Sequence, residues 1–535
     1  MKFINTTIHN YFRNEISYWS PISRAFRFRQ VDLAGTLYGL DLKNHRSLKL
    51  LPYVLGGFSQ DYTPLNYEST IEKNVGLDLK YSLTSSLTLD GTINTDFAQV
   101  EVDDEQVNLT RFDLFFPEKR SFFLENSGFF EFGSAREVEV FFSRRIGIDK
   151  NQEPVPINGG ARLSGKIGSY QVGFLNMQTR QVSDVVPANN FSVARISREL
   201  PNRSSIGLIG VNRQSSSNFL SYSDYNRTFG ADVNLGLGEF ANLFNYIAKT
   251  KTPGLQNSDH AYSSRLDYDD STHEFILAYM EVGRNFNPEA GFVRRTNFRK
   301  PEYFYRYTYY PDSKIIRDFA PHFSRKTWYQ LQTNNKESDF QHYHIDSHWQ
   351  NGGRSGIAFN HSFERLDQPF EIIPGITVPS GQYGFNEIIA NIQTDGSARI
   401  FAGGNVAAGG FYNGNIRSIN LNGGYRQNQN LSWTTSYVHN SIKLPVGNFN
   451  TDLIGLRFNW SFNSKSFFQT LSQYNNLSKS FGHNIRLGLM STSSTGFFVV
   501  FNTRHMTSSF IDPHQVSRHT LGRALFIKFN YLLDL

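Results

Sequence analysis

Residues 75–94 read VGLDLKYSLTSSLTLDGTIN. Val75, Leu77, Leu79, Tyr81 and Leu83 alternate with Gly76, Asp78, Lys80 and Ser82, and after Thr84-Ser85-Ser86 the pattern restarts as Leu87, Leu89, Gly91 and Ile93 against Thr88, Asp90, Thr92 and Asn94. A strict period of two marks a strand with one apolar and one polar face, and two such runs about a short polar turn predict a hairpin.

The same grammar recurs along the chain. Tyr303, Tyr305, Tyr307 and Tyr309 share one face against Phe304, Arg306 and Thr308, and Tyr343, Ile345 and Trp349 share another against His342, His344 and Asp346. At the carboxy terminus Leu525, Ile527, Phe529, Tyr531 and Leu533 fall on one side while Phe526, Lys528 and Asn530 fall on the other. Segments of this kind, separated by Gly, Asn, Ser and Pro clusters, number roughly 24 to 26, each near the length of a tilted strand crossing a bilayer. A soluble sandwich or propeller also alternates, but a propeller requires a repeat of roughly 40 to 50 residues and none is present.

Composition points the same way. Aromatic residues make up 15% of the 535-residue chain although mean hydropathy is −0.43, so the excess Phe and Tyr need an apolar surface other than an aliphatic core. No apolar run reaches the length of a membrane-spanning helix. Cysteine is absent, which excludes disulfides and thiolate metal sites. The predicted fold is therefore all-β: one large transmembrane antiparallel β-barrel over residues 1–535, in the cell outer membrane and in contact with its lipid. Longer connectors near Thr252 to His260, Pro311 to Ser324, Leu366 to Gly384 and Met506 to His519 are the expected extracellular loops. The amino terminus, MKFINTTIHNYFRNE, carries no apolar stretch of about 7 to 15 residues, so taken alone it leaves two expectations, a cytoplasmic protein or a mature or truncated chain whose export signal lay upstream.

One segment breaks the alternation. FFPEKRSFFLENSGFFEFG, residues 115–133, sets Phe pairs among charges, and residues 112–142 hold ten Phe. Between Asp96 and Glu139 there are 11 acidic and 4 basic residues in a chain of net charge +6, so an acidic segment sits in a basic frame. A barrel this wide leaves a lumen that side chains cannot fill. The expected solution is a non-barrel segment, residues 96–157, inserted into the lumen as a plug or constriction; an apolar cap outside the barrel is the competing arrangement. Phe115, Phe116, Phe122, Phe123, Phe129 and Phe130 would pack together, Glu118, Lys119, Arg120, Glu125 and Glu131 would pair with a charged wall, and Arg144, Arg145, Arg294 and Arg295 are the expected wall residues. A segment held by charge pairs would loosen at high salt.

Other constellations carry less. His342, His344, Asp346 and His348 share one strand face but sit about 7 Å apart in succession, so a metal would need a neighbouring strand, and the favoured reading is polar lumen residues with no metal and no cofactor. Gly236-Leu237-Gly238-Glu239-Phe240-Ala241 matches a dinucleotide fingerprint only in letters, since strand follows it. Glu101, Asp103, Asp104 and Glu105 lack the spacing of a calcium loop. No basic run interleaved with stacking aromatics suggests nucleic acid.

The run NTDFAQVEVDDEQVNLTRFDLFFPEKRSFFLENSGFFEFG, residues 94–133, resembles a family of Gram-negative outer-membrane proteins known as a domain of unknown function. SYWSPI (17–22), FFSRRIGI (141–148), NPEAGFVRRTNFR (287–299) and the terminal ALFIKFNY resemble it too. The resemblance implies a barrel that usually follows a signal peptide and a family-9-like carbohydrate-binding module, neither of which this sequence shows. Three functions are weighed: a transport or channel component for a glycan or peptide, a non-conducting scaffold for other envelope proteins, and a carbohydrate-active hydrolase using Glu118 and Glu125. Channel leads, catalysis is the least supported, and no catalytic residue is assigned.

Overall fold

The computed structural model describes residues 7–10, 15–18, 47–62, 68–95, 103–149, 154–182, 186–216, 224–492, 495–506 and 520–535. The opening hairpin forms as its period requires. Glu68–Thr84 pairs with Leu87–Ile93 around Ser85-Ser86, with Leu79 opposite Gly91 and Tyr81 opposite Leu89. Val75 and Ile93 lie exposed on one face, whereas Asp90 and Thr92 are buried on the other.

That division holds round the sheet. Twenty-four strands, each paired with its sequence neighbour, form one antiparallel barrel. Closure comes from Thr520–Asn530 lying against Leu48–Asp61, with Phe58 opposite Leu525 and Tyr53 opposite Asn530. The exposed face carries Tyr303, Tyr305, Tyr343, Ile345, Ile527 and Phe529, an apolar and aromatic outer wall, while the alternate positions face the lumen.

Connectors differ between the two rims. One rim has tight turns, such as Ser85-Ser86 and the turn at Gly238 (φ +62°), after which strand Ala241–Lys251 stands where a fingerprint helix would have to begin. The other rim carries the long connectors: residues 94–156, 252–259, 283–297 and 367–380, the last with its own hairpin, Phe370–Ile373 against Ile376–Val378. Residues 507–519, expected as a fourth loop, lie outside the described residues. The expected loop at Pro311 to Ser324 needs correction. Strand Ile316–Gln330 begins within it, and what remains of the connector opens on the tight-turn rim. Pro321 falls between the pair Arg306↔His322 and the isolated bridge Tyr309↔Phe319, so its missing N–H coincides with a break in the ladder.

Candidate functional site

The longest connector does not stay on its rim. From Asp103 to Asp149 it forms a four-residue helical turn at Ser121–Leu124, short 3-10 turns at Ser127–Phe130 and Ser143–Arg145, and two-residue strands Gly133–Ser134 and Val138–Glu139. Elements this short cannot hold themselves together, so tertiary packing must fix them. The segment touches lumen-facing residues of strands at both ends of the sequence: Lys80, Arg162, Arg195 and Tyr246 early, Glu337 and Glu364 midway, Arg457 and Gln473 late. These contacts spread over barrel strands from residue 80 to residue 473.

The segment's phenylalanines build a core. Phe123, Phe130 and Phe132 are buried with Val138, Val140 and Ile146 of the same segment against Leu175, Met177, Val193, Ile209, Val211 and Ala248 of the wall. Each fully buried side chain of this size contributes roughly 1.5–3 kcal/mol relative to exposure. Two wall glycines make the fit. At Gly230 a Cβ would overlap the Phe132 ring, and at Gly173 it would lie 3.0 Å from both Phe129 O and the Phe130 ring.

Three stretches far apart in sequence meet at one end of this core. Phe115 stacks on Phe142 at 5.0 Å and meets Phe292 edge-on at 5.1 Å. Val138–Glu139 pairs with Phe292–Val293, Phe142 N–H donates to Ala290 O (2.8 Å), and Arg145 Nε donates to Gly291 O (3.2 Å). The connector 283–297 is thus a second inward segment. It is tied to the wall by Arg213 to Glu289 and by Asn226 Nδ2 to Asn287 O (2.7 Å).

Buried charge fixes the arrangement. Arg120 donates to Glu118 (2.7 and 2.8 Å), Ile146 O (2.6 Å) and Ser143 O (2.6 Å), and lies 4.2 Å over the Phe123 ring. Burial pushes the Glu118 carboxyl up, but the Arg120 guanidinium, with help from Ser143 Oγ, outweighs it and holds the group below its ordinary value. On the wall, Arg162 is paired with Asp90 at 2.7 Å, both side chains almost fully buried, and also donates to Phe122 O and Glu125 O. Lys300 binds Glu137 at 2.5 Å, and Arg111 reaches out to Glu337 (2.9 Å) and Glu364 (3.1 Å).

These contacts redraw the expected site. Glu125 does pair with the wall, through Lys80. Glu118, Lys119 and Arg120 instead find partners within the segment, Lys119 binding Asp103 at 3.2 Å, and exposed Glu131 has no ion-pair partner among the described residues. Arg144 and Arg145 are part of the segment, Arg144 pairing with Asp103 and lying 5.7 Å from the Phe116 ring. Arg294 and Arg295 sit on the second inward segment over the Phe112 ring, at 5.9 and 4.0 Å. None of the four is a wall residue. The wall cations are Lys80, Arg162, Arg195, Lys300 and Arg457, and their signal was a lone charge on the lumen face of a strand, as in Ala161-Arg162-Leu163. Among the acidic run, Asp104 pairs with Arg457 (3.1 Å) and Asp103 with Lys119 and Arg144, while Glu101 lies outside the described residues.

The histidines divide. His342 and His344 face the lumen beside His322 of the neighbouring strand, whereas His348 turns away to Asp318 at 2.6 Å.

The remaining lumen wall is different. From Gly381 onward its facing residues include a run of amides: Asn391 stands opposite Asn405, Asn405 opposite Asn420, and Asn420 Nδ2 donates to Asn405 Oδ1 (2.8 Å). Nearer the long-connector rim, Ile416, Ile442 and Leu444 form a second apolar core with Leu366, Ile372, Val378 and Tyr412. A cleft of ≈ 790 Å³ lies along this wall, lined by Gln473, Asn484, Asn502, Arg504, Arg523 and Glu105 among others.

A closed antiparallel barrel with an apolar outer wall defines an outer-membrane β-barrel protein. Residues 46–160, which include the whole of residues 103–149, match the family described as "Domain of unknown function (DUF5916)". No curated protein matches the chain. Among solved structures, it is similar to the siderophore receptor PirA from Pseudomonas aeruginosa (8% identity, TM-score 0.44, covering 92% of this chain and 81% of that one). It is also similar to Acinetobacter baumannii OccAB2 (9%, 0.33, 91% and 98%) and to a ferric enterobactin receptor (PfeA) mutant from P. aeruginosa (9%, 0.41, 92% and 81%).

Proposed function

We propose that the protein is an outer-membrane channel component in which residues 103–149 block one side of the lumen and a polar solute passes along the other. The observation that carries this reading is the difference along the wall: apolar where the segment packs, and amide-bearing at Asn391, Asn405, Asn420, Gln473 and Asn484 beyond Gly381, apart from a second apolar cluster at the long-connector rim. Amides offer paired donors and acceptors without net charge, which suits a hydroxyl-rich glycan better than a charged peptide. The sequence resemblance to barrels that follow a carbohydrate-binding module agrees with that choice. Long loops of such barrels face outward and short turns face the periplasm, so the segment would enter from the outside.

The test is conductance in planar bilayers for the full chain and for a deletion of residues 115–133. A constriction predicts a several-fold rise on deletion, together with faster sugar entry into liposomes. Unchanged conductance would remove the blocking role, and no conductance in either form would favour the scaffold. The hydrolase reading has little to build on, since Glu118 and Glu125 are each held by a cation.

A further inference from the structure

We propose that His322, His342 and His344, with Asp346, form a binding site for a divalent first-row transition-metal ion on the lumen wall. One ring nitrogen from each of the three histidines lies within 4.8 Å of the other two. A tetrahedral site with metal–nitrogen bonds of 2.0–2.1 Å needs nitrogens about 3.4 Å apart, so modest side-chain rotation closes the set. Asp346 supplies the fourth donor through Oδ1, which stands 3.3 Å from His344 Nε2.

Hydrogen bonds around the cluster prepare the lone pairs. Asn360 Nδ2 donates to the Glu387 carboxylate (3.1 Å), which turns Asn360 Oδ1 toward His342 Nδ1 at 2.6 Å. An amide oxygen only accepts, so His342 carries its proton on Nδ1 and presents Nε2 as a free donor to metal. His322 Nδ1 is likewise directed to Ala320 O (3.3 Å), which frees its Nε2. His344 Nε2 is buried, makes no well-aligned hydrogen bond and has Asp346 Oδ1 3.3 Å away, so a metal between nitrogen and carboxylate would satisfy both.

The backbone beneath leaves room. Asp346 lies opposite Gly356 on the next strand, and a Cβ at Gly356 would overlap His344 Nε2 and stand 2.8 Å from Asn391 Oδ1. Three imidazoles and one carboxylate are a borderline donor set suited to Zn²⁺, Co²⁺, Ni²⁺ or Cu²⁺ rather than to Ca²⁺ or Mg²⁺.

The experiment uses the full chain, folded in detergent, stripped with EDTA and titrated with Co²⁺ and then Zn²⁺. One equivalent is expected, with the visible absorption of four-coordinate Co²⁺, displaced by Zn²⁺. His344→Gln and Gly356→Ala should each weaken binding at least tenfold, Asn360→Ala about 10–100-fold, and His348→Gln not at all. Heat-modifiable gel mobility checks that each variant has folded. Wild-type protein that retains no stoichiometric metal overturns the proposal, as does a His348→Gln variant that loses as much as His344→Gln. Should the cluster variants misfold, the wild-type stoichiometry and Co²⁺ spectrum decide alone.

Discussion

Two arcs of one barrel wall, built from the same alternating strands, face the lumen differently. From Tyr170 to Val282 the lumen face presents Leu175, Met177, Val193, Ile209, Val211 and Ala248, all buried under the inserted segment. From Gly381 to Asn530 it presents Asn391, Asn405, Asn420, Gln473 and Asn484. The outer wall is apolar in both. The inner face follows what it touches: apolar against residues 103–149 and again where Ile416, Ile442 and Leu444 meet Ile372 and Val378 of the 367–380 connector, and polar elsewhere.

The comparison is best broken where the core arc holds its charges. Removing one member of a buried ion pair leaves the other unpaired, at a cost of about 3–5 kcal/mol. Asp90→Ala leaves Arg162, which also anchors Phe122 O and Glu125 O, without its carboxylate. Native-state hydrogen exchange should report opening of residues 115–140 made easier by about that amount. On the other arc Asn420→Ala removes one amide hydrogen bond worth about 0.5–1.5 kcal/mol and should leave exchange in the segment unchanged. Equal effects at the two positions would mean that the segment leans on both arcs alike.

The same asymmetry explains what could be read from sequence. Strict alternation stands out in 75–94, 303–309 and 525–533, where lipid lies on one side of the strand and polar groups or water on the other. In the core arc it blurs. Ile206-Gly207-Leu208-Ile209-Gly210-Val211 has Ile206 and Leu208 exposed on the outside and Ile209 and Val211 buried inside, so both faces are apolar and the period of two fades. Residues 112–142 stand out as non-barrel because ten Phe in 31 residues fit neither face of a strand. Their partners do not. Charge balance gives the sign of a wall but no register, so runs such as Arg144-Arg145 and Arg294-Arg295 drew attention away from single lumen-facing cations. His322 was hidden for a similar reason, being brought to His342 and His344 only by strand pairing.

Acidification should act next most strongly, and on the core arc. The Glu118 carboxyl, raised by burial but lowered further by Arg120, has a folded pKa below its ordinary 4.5. Its contribution to holding the segment is complete above pH 4.5 and is lost as pH falls through the depressed value. Glu139 works in the opposite sense. Burial pushes its carboxyl up, the Arg136 backbone N–H only partly offsetting this, so its contribution is present below 4.5 and lost as pH rises through the raised value. At neutral pH Glu139→Gln should therefore slow hydrogen exchange in the segment, and Glu118→Gln should speed it and remove the acid-side loss. Two variants moving the same way would contradict the opposed environments.

Salt should have the smallest effect, contrary to the expectation from charge pairing alone. Screening acts on exposed charges and much less on buried ones. Glu118 with Arg120 and Arg162 with Asp90 have side chains less than a tenth exposed, whereas Lys80 and Glu125 are 36% and 50% exposed. The last pair meets the ions of the medium, as does Asp104 with Arg457, 63% and 32% exposed, and exposed pairs are worth about 0–1 kcal/mol. Raising the ionic strength from about 0.1 to 1 M shortens the screening length from about 10 to 3 Å, yet it should change segment exchange no more than the double variant Lys80→Ala with Arg457→Ala does at low salt. The two perturbations should also fail to add. A larger salt effect, surviving in the double variant, would show that the segment is held by exposed charge rather than by its phenylalanine core.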